Sequence, residues 1–309
     1  MKYRKLFSYT VPPQQDGWLL KTVLRNGLHL SRKLLTQLKK TDQGILVNGR
    51  KEKVNIFVKA GDRIEVYLPE EGSEHILPQP IPFQRIFEDD HLLIVNKAAG
   101  MIVHPTKGHY THTLANGVVY YWQQKGEHCR FHPVHRLDQD TSGVLAIAKN
   151  AYAHQRIAEQ MKANQVIKEY LALVYGKPPE QAGTIDAPID IDPLDRRRRT
   201  VSRKGYPSVT HYRVVEEYGQ ISLVRLRLET GRTHQIRVHM KHVGCPLVGD
   251  KVYGPDADHD TIPNPVRMNR HALHSCRLAF CHPVTGEWLE FAACLPDDMK
   301  QLIRDLTFG

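Results

Sequence analysis

His135-Arg-Leu-Asp-Gln-Asp-Thr-Ser-Gly143 is the stretch on which the reading of this chain turns. It follows Pro133 and runs into an apolar segment at residues 143–148, so it reads as a loop feeding a buried strand. Loops held by a rigid scaffold are where catalytic groups concentrate. This one places two carboxylates, Asp138 and Asp140, beside Arg136. Taken alone, such a string is equally a surface turn closed by an ion pair.

Outward from the loop, strand and helix patterns alternate. Residues 86–96 contain the apolar run Leu92-Leu-Ile-Val95, and residues 169–174 and 221–228 read as further strands. Residues 151–162 form an amphipathic helix with Ile157, Ala158 and Met161 on one side, and residues 233–242 suit a helix ending before Gly244. Strands predominate, which predicts an α+β domain on a mostly antiparallel mixed sheet with flanking helices. No G-x-G-x-x-G or P-loop string occurs, which argues against a dinucleotide or nucleotide-triphosphate enzyme.

The 309 residues carry 43 Lys and Arg against 33 Asp and Glu, a formal charge of +10, which points to an anionic partner and first to nucleic acid. A hydrophobic share of 41% with 25% charged residues excludes wholesale disorder. No apolar run reaches the roughly 18–20 residues that span a bilayer, and the first residues lack the apolar core of a signal peptide. Five cysteines, an odd number with no C-x-x-C pair, read as reduced thiols in the cytoplasm. A monomer is the default expectation.

Charge is densest at the front, where residues 1–80 hold 14 basic and 8 acidic groups. The polar stretch Pro69-Glu-Glu-Gly-Ser-Glu74, followed by Pro78, Pro80 and Pro82, reads as a linker, which divides the chain into residues 1–78 and 79–309. Within the front part, residues 18–26 and 31–40 have helical apolar spacing, with Ser31 as an N-cap. Residues 45–47, the turn Asn48-Gly49 and residues 64–68 read as a small sheet.

Two resemblances organise these readings. Ser31-Arg32, Gly44-Ile-Leu-Val-Asn-Gly49, Val54 and Ala60-Gly-Asp62 resemble the S4 RNA-binding domain over residues 15–70. That implies that Arg32 and Lys33 contact RNA phosphates, which hold an RNA without reading its sequence. The string H-R-L-D-x-x-T-S-G at 135–143 resembles the signature of the RluA-type pseudouridine synthases. Residues 88–105, Lys168-Glu169-Tyr170, Thr230-Gly-Arg-Thr-His-Gln-Ile-Arg-Val-His239 and its continuation to Tyr253-Gly254, and His282-Pro-Val-Thr-Gly-Glu287 resemble further motifs of that family, in order.

This second resemblance implies a pseudouridine synthase fold and isomerisation of uridine in RNA, with no nicotinamide, flavin or metal. Asp138 matches the family's essential aspartate, which attacks C1′ or removes a proton from C2′. Asp140 falls at a variable position. Arg237 matches the arginine paired with the aspartate, and Tyr170 matches the active-site tyrosine, whose ring stacks on the uracil and whose hydroxyl helps remove the proton from C5. Arg136 fills the space left by the extruded base. His135 and Arg232 join it on the RNA side. Members with such a front domain favour large-subunit ribosomal RNA, with transfer RNA as the alternative.

Other signals carry less. Four arginines at 196–199 do not suit a buried element and predict a disordered or phosphate-touching loop. His271, His274, Cys276, Cys281 and His282 lack zinc spacing, and Asp256, Asp258 and Asp260 fail the calcium-loop template, so no metal is expected. Two rivals remain: an RNA-binding assembly factor without catalysis, and a nucleic-acid N-glycosylase, which releases free base where an isomerase retains it.

Overall fold

In a computed structural model, residues 2–255 and 268–308 are described. The Asp256, Asp258 and Asp260 run lies outside them.

The front of the chain builds a four-stranded antiparallel sheet. Its strands are β1 (Tyr3–Thr10), β2 (Ile45–Val47), β3 (Arg50–Lys51) and β4 (Arg63–Pro69), in the order β1-β4-β2-β3. Asn48 and Gly49 both have positive φ (53° and 77°), the two-residue turn that suits the twist between β2 and β3. Ile64, Val66 and Leu68 alternate inward along β4 and meet two helical segments. The first is shorter than expected: α1 (Leu20–Thr22) continues as a π-turn over Val23–Gly27, while Leu19 is bridged to Phe57. The second, α2 (Arg32–Leu38), starts where Ser31 Oγ accepts from the Leu34 amide and buries Leu34, Leu35 and Leu38.

The rest of the chain contributes β5 (Gln84–Glu88), β6 (Leu92–Lys97), α3 (Leu114–Gln124), β7 (His132–Pro133), β8 (Ser142–Ala148), α4 (Ala151–Lys162), β9 (Ile167–Tyr175) and β10 (Ala182–Asp186). Then come β11 (Ile189–Ile191), β12 (Arg199–Val201), β13 (Val209–Tyr218), β14 (Ile221–Leu228), α5 (Gln235–His242), β15 (Leu273–Cys281), β16 (Trp288–Ala292) and α6 (Asp297–Phe308). The large sheet runs β10-β13-β14-β9-β15-β8-β6-β5, with β16 on β15 and β7 on β8. It is antiparallel except where β15 and β8 run parallel, so the expected mixed, mostly antiparallel α+β sheet is what the chain forms. The apolar segment expected at 86–96 is two strands. Asp89 breaks it by accepting the amides of His91 and Leu92 at 2.7 Å each.

The expected linker is pinned rather than loose. Ser73 and Ile76 are buried, and Ser73 accepts from the Phe131 amide and donates to the Cys129 carbonyl. Helix α4 forms a second seam. Asn150 caps it, Ala153 and Ile157 face the large sheet, and Tyr152 points the other way into the front core. Tyr152 Oη donates to the Leu28 carbonyl at 3.0 Å, and Gln155 binds the Ser31 amide and the His29 carbonyl.

The parallel pair is the pivot of the site, because the 135–143 loop enters the sheet there. Gly143 has φ +112°, and a Cβ on it would lie 2.1 Å from the Ser275 carbonyl oxygen on β15. Gly143→Ala is therefore expected to cost about 2–4 kcal/mol of stability through combined backbone strain and overlap. Chemical denaturation of the two proteins measures it. A loss below the ordinary surface range of about 0.5 kcal/mol would show that the strand pair yields freely.

Candidate active site

Three separate elements bring the expected residues together. Asp138 sits on the loop before β8, Tyr170 on β9 opposite Ser275 of β15, and Arg237 on the first turn of α5. Arg237 Nη1 donates to Asp138 Oδ2 at 3.3 Å. Tyr170 lies beside Asp138 in the same cleft, its residue only 6% exposed. Burial first, and the Asp138 charge second, push the Tyr170 phenol well above its usual value. At neutral pH this hydroxyl keeps its proton.

Arg237 is shared between two carboxylates. Its Nε and Nη2 donate in a fork to Asp250 at 2.7 and 2.8 Å, leaving Nη1 for Asp138. The Asp250 side chain is fully buried and also accepts the amides of Val252 and Tyr253. Burial opposes ionisation of Asp250, but the Arg237 fork outweighs it and holds the carboxyl below its usual range. Burial likewise opposes the Arg237 charge, and Asp250 and Asp138 together hold that charge firmly. One carboxylate is thus committed to the arginine. The other, Asp138, receives one long hydrogen bond from it and keeps 28% of its side chain exposed. Asp250 lies within the motif that continues to Tyr253-Gly254, and the sequence assigns it no role. Its position thirteen residues beyond Arg237, in a turn, gave no periodic signal.

Two buried cations hold the reacting loop from opposite sides. Lys97, fully buried, donates to the carbonyls of Ala98, Met101 and Gln139, each at 2.8 Å. Burial, with the Arg270 charge adding to it, pulls its ammonium down to about 7 against Asp140 and Asp138; three carbonyl acceptors match the three N–H bonds of the protonated form. Arg270 Nη1 donates to the Asp140 carbonyl at 2.9 Å while its Nε and Nη2 grip Asp298 on α6. Thr141 is tied to His271, and Ser142 to His274. These histidines brace the loop, and burial brings His271 down to about 4, so it is neutral. His282 is paired instead with Asp89, away from them.

The other expected residues separate by location. Arg136 lines the cleft, is exposed, and has no ion-pair partner among the described residues. His135 lines it too. Its Nε2 accepts from the Ala146 amide at 3.5 Å, and burial, reinforced by Lys168, lowers it to about 3. Arg232 also lines the cleft, lying over the Tyr206 ring and donating to the Pro207 carbonyl. Arg32 and Lys33 are exposed on α2. The 196–199 run corrects an expectation, because part of it is ordered. Arg199 opens β12, its amide donates to Tyr253 Oη, and Arg198 donates to the Val252 carbonyl. Buried Tyr253 supplies the anchor, while Arg197 stays exposed beside Asp195.

The mixed sheet thus presents one partly exposed carboxylate, one buried arginine and one buried tyrosine in a single cleft of a basic chain. Comparisons with known proteins give the class. Residues 91–242 match the family model described as RNA pseudouridylate synthase, and residues 7–64 match the RluD ribosomal pseudouridine synthase N-terminal domain. An uncharacterized RNA pseudouridine synthase of Bacillus subtilis, YlyB, is 44% identical over 86% of this chain and 86% of its own. The ribosomal large subunit pseudouridine synthase D of Escherichia coli is 38% identical over 85% of this chain and 82% of its own. The solved structure of human RNA pseudouridylate synthase domain containing 1 superposes with a TM-score of 0.55 at 27% identity, covering 75% of this chain and 97% of that one. The chain belongs to the RNA pseudouridine synthase family.

Proposed function

We propose that this protein isomerises uridine in large-subunit ribosomal RNA to pseudouridine, with Asp138 as the reacting carboxylate. The observation that carries the reading is the division of labour at Arg237, which leaves Asp138 oriented by one charged contact and accessible. In the reaction the N1–C1′ bond breaks, the uracil turns, and C5 bonds to C1′. The C5 proton leaves to solvent and N1 gains one. Atoms and electrons balance within the nucleotide, so no redox cofactor is called for. Asp138 serves either attack on C1′ or removal of the C2′ proton. The Tyr170 ring offers the flat face on which an extruded uracil stacks, and its protonated hydroxyl rules it out as a phenolate base at neutral pH. Arg136, exposed in the lining of the cleft, fills the gap in the stack.

Around this centre, residues 79–309 act as the catalytic unit and residues 1–78 as an S4-like RNA-holding unit, with Arg32 and Lys33 on phosphates. The ribosomal substrate is supported by relatives in Escherichia coli and Zymomonas mobilis named as large-subunit enzymes. The site of action is then the cytoplasm, where that RNA is made. Chemical mapping of pseudouridine in RNA from cells lacking the protein tests this. We expect sites lost from large-subunit RNA and restored by the wild-type chain. Loss confined to transfer RNA would overturn the ribosomal assignment, and no loss would overturn the enzymatic one.

A further inference from the structure

His234 and Tyr253 stand in the cleft, and nothing above gives them a role in the reaction. His234 caps α5 in the left-handed backbone region, with φ 59° and ψ 17°. That conformation is costly for a residue with a Cβ, and such strain concentrates at functional sites. Its side chain, 19% exposed, faces the space between Asp138 and the 195–198 loop, with Nε2 3.9 Å from Asp138 Oδ2. On the other side of the ring, Nδ1 lies 2.8 Å from Tyr253 Oη.

The tautomer follows from the partners. Tyr253 is 3% exposed, with the Arg237 and Arg198 guanidinium groups 4.9 and 5.7 Å from its ring centre. Its Oη receives the Arg199 amide at 2.7 Å, and an amide N–H can only donate. The phenol proton is left for His234 Nδ1, which therefore accepts. The imidazole proton then sits on Nε2, facing Asp138.

We infer that His234 is a positioning residue for Asp138, its Nε2–H fixed by Tyr253 and closing on Oδ2 beside Arg237 when RNA fills the cleft. Two donors then hold one carboxylate oxygen and leave Oδ1 for the ribose. This inference rests on the reading of Asp138 as the reacting carboxylate. The charged and titratable groups around His234 are Asp138 and Asp140 on the reacting loop, Arg237 on α5, Asp195, Arg197 and Arg198 on the loop before β12 and Arg199 on it, Asp250, Lys251 and Tyr253 in the turn after α5, and His271 before β15. Burial lowers the His234 pKa first; Asp138 opposes this, and Arg237 and Arg199 add to it, which keeps the ring neutral. Without the Tyr253 hydroxyl, Nδ1 is free to take a proton. The resulting cation would pair with Asp138 and quench it, so an acid limb would appear.

The test is single-turnover tritium release, between about pH 5.5 and about pH 8.5, from large-subunit RNA labelled at uridine C5 and taken from cells lacking the protein. His234→Ala and His234→Gln carry the same backbone strain, but only glutamine restores an N–H donor. We expect alanine to lower the rate about thirtyfold and glutamine about threefold, with RNA affinity held within about twofold in both. Tyr253→Phe should lose about tenfold more activity at the acid end than at the alkaline end, and adding His234→Gln should remove that excess. Equal losses in the alanine and glutamine variants, or a Tyr253→Phe profile parallel to wild type, would overturn this inference alone. Absence of release by the wild-type protein would overturn the Asp138 reading itself, and this inference with it.

Discussion

Asp138→Asn abolishes tritium release from RNA labelled at uridine C5, by at least about a thousandfold, while RNA binding stays within about twofold. The substitution keeps the shape of the side chain and an oxygen for Arg237 Nη1. It removes the charge, and a neutral amide neither attacks C1′ nor takes a proton from C2′. The fold is expected to survive because Arg237 does not depend on Asp138: its forked partner is Asp250, at 2.7 and 2.8 Å, against a single 3.3 Å contact. A thousandfold loss corresponds to about 4 kcal/mol of barrier, within what one reacting group supplies. Release that persists in the variant would move the chemistry to another group. Asp140 is the nearest candidate, though its carbonyl is held by Arg270 to serve the loop. Intact binding without release by either protein would favour the assembly-factor reading, and free uracil in place of pseudouridine would favour the glycosylase.

What the sequence made legible follows from what each element looks like one-dimensionally. Helix α4 was readable end to end, over the same residues 151–162, because it has one apolar and one polar face and an asparagine in front. Strand β14 kept its bounds, residues 221–228, for a similar reason. Helix α3 was not read at all. Leu114, Ala115, Val118, Val119 and Trp122 are buried together with Asn116 and Gly117, so no polar face marks the period. Strand β1 was hidden among basic residues, and its partner β4 lies more than fifty residues away. The candidate site divides in the same way. Asp138, Tyr170 and Arg237 were found through motif resemblance, and the fold brings all three to one cleft. Asp250, Lys97 and Arg270 were not assigned roles. Buried charges are rare, and a prior built on composition treats such residues as solvated. Lys97 and Arg270 act on backbone carbonyls of the reacting loop, and Asp250 on the Arg237 guanidinium and two backbone amides, which no spacing in the chain records.

Asp250→Ala is expected to be the more damaging substitution for the folded state, although Asp250 touches no substrate. It leaves the Arg237 guanidinium, whose side chain is only 7% exposed, without its forked partner, and strips an acceptor from the Val252 and Tyr253 amides. Breaking one half of a buried ion pair costs about 3–5 kcal/mol. Urea unfolding at neutral pH measures it. The pH dependence has a definite sign. Because Arg237 holds the folded carboxyl below the usual carboxylate range, its contribution is fully present at neutral pH and is lost as pH falls through the lowered native value. The stability gap between wild type and Asp250→Ala should therefore hold from about pH 7 down to about pH 4 and narrow only as the pH is lowered further. Catalysis should suffer by a different route. With Asp250 gone, Arg237 has only Asp138 to pair with, and a full fork there would take both carboxylate oxygens out of reach of the ribose. The surviving folded protein should lose about a hundredfold in turnover. Asp250→Glu, which keeps the charge, should recover more activity than Asp250→Asn if charge commitment of the arginine is what frees Asp138. Equal activity in the glutamate and asparagine variants would show that Asp250 serves the turn after α5 and not the poise of the reacting carboxylate.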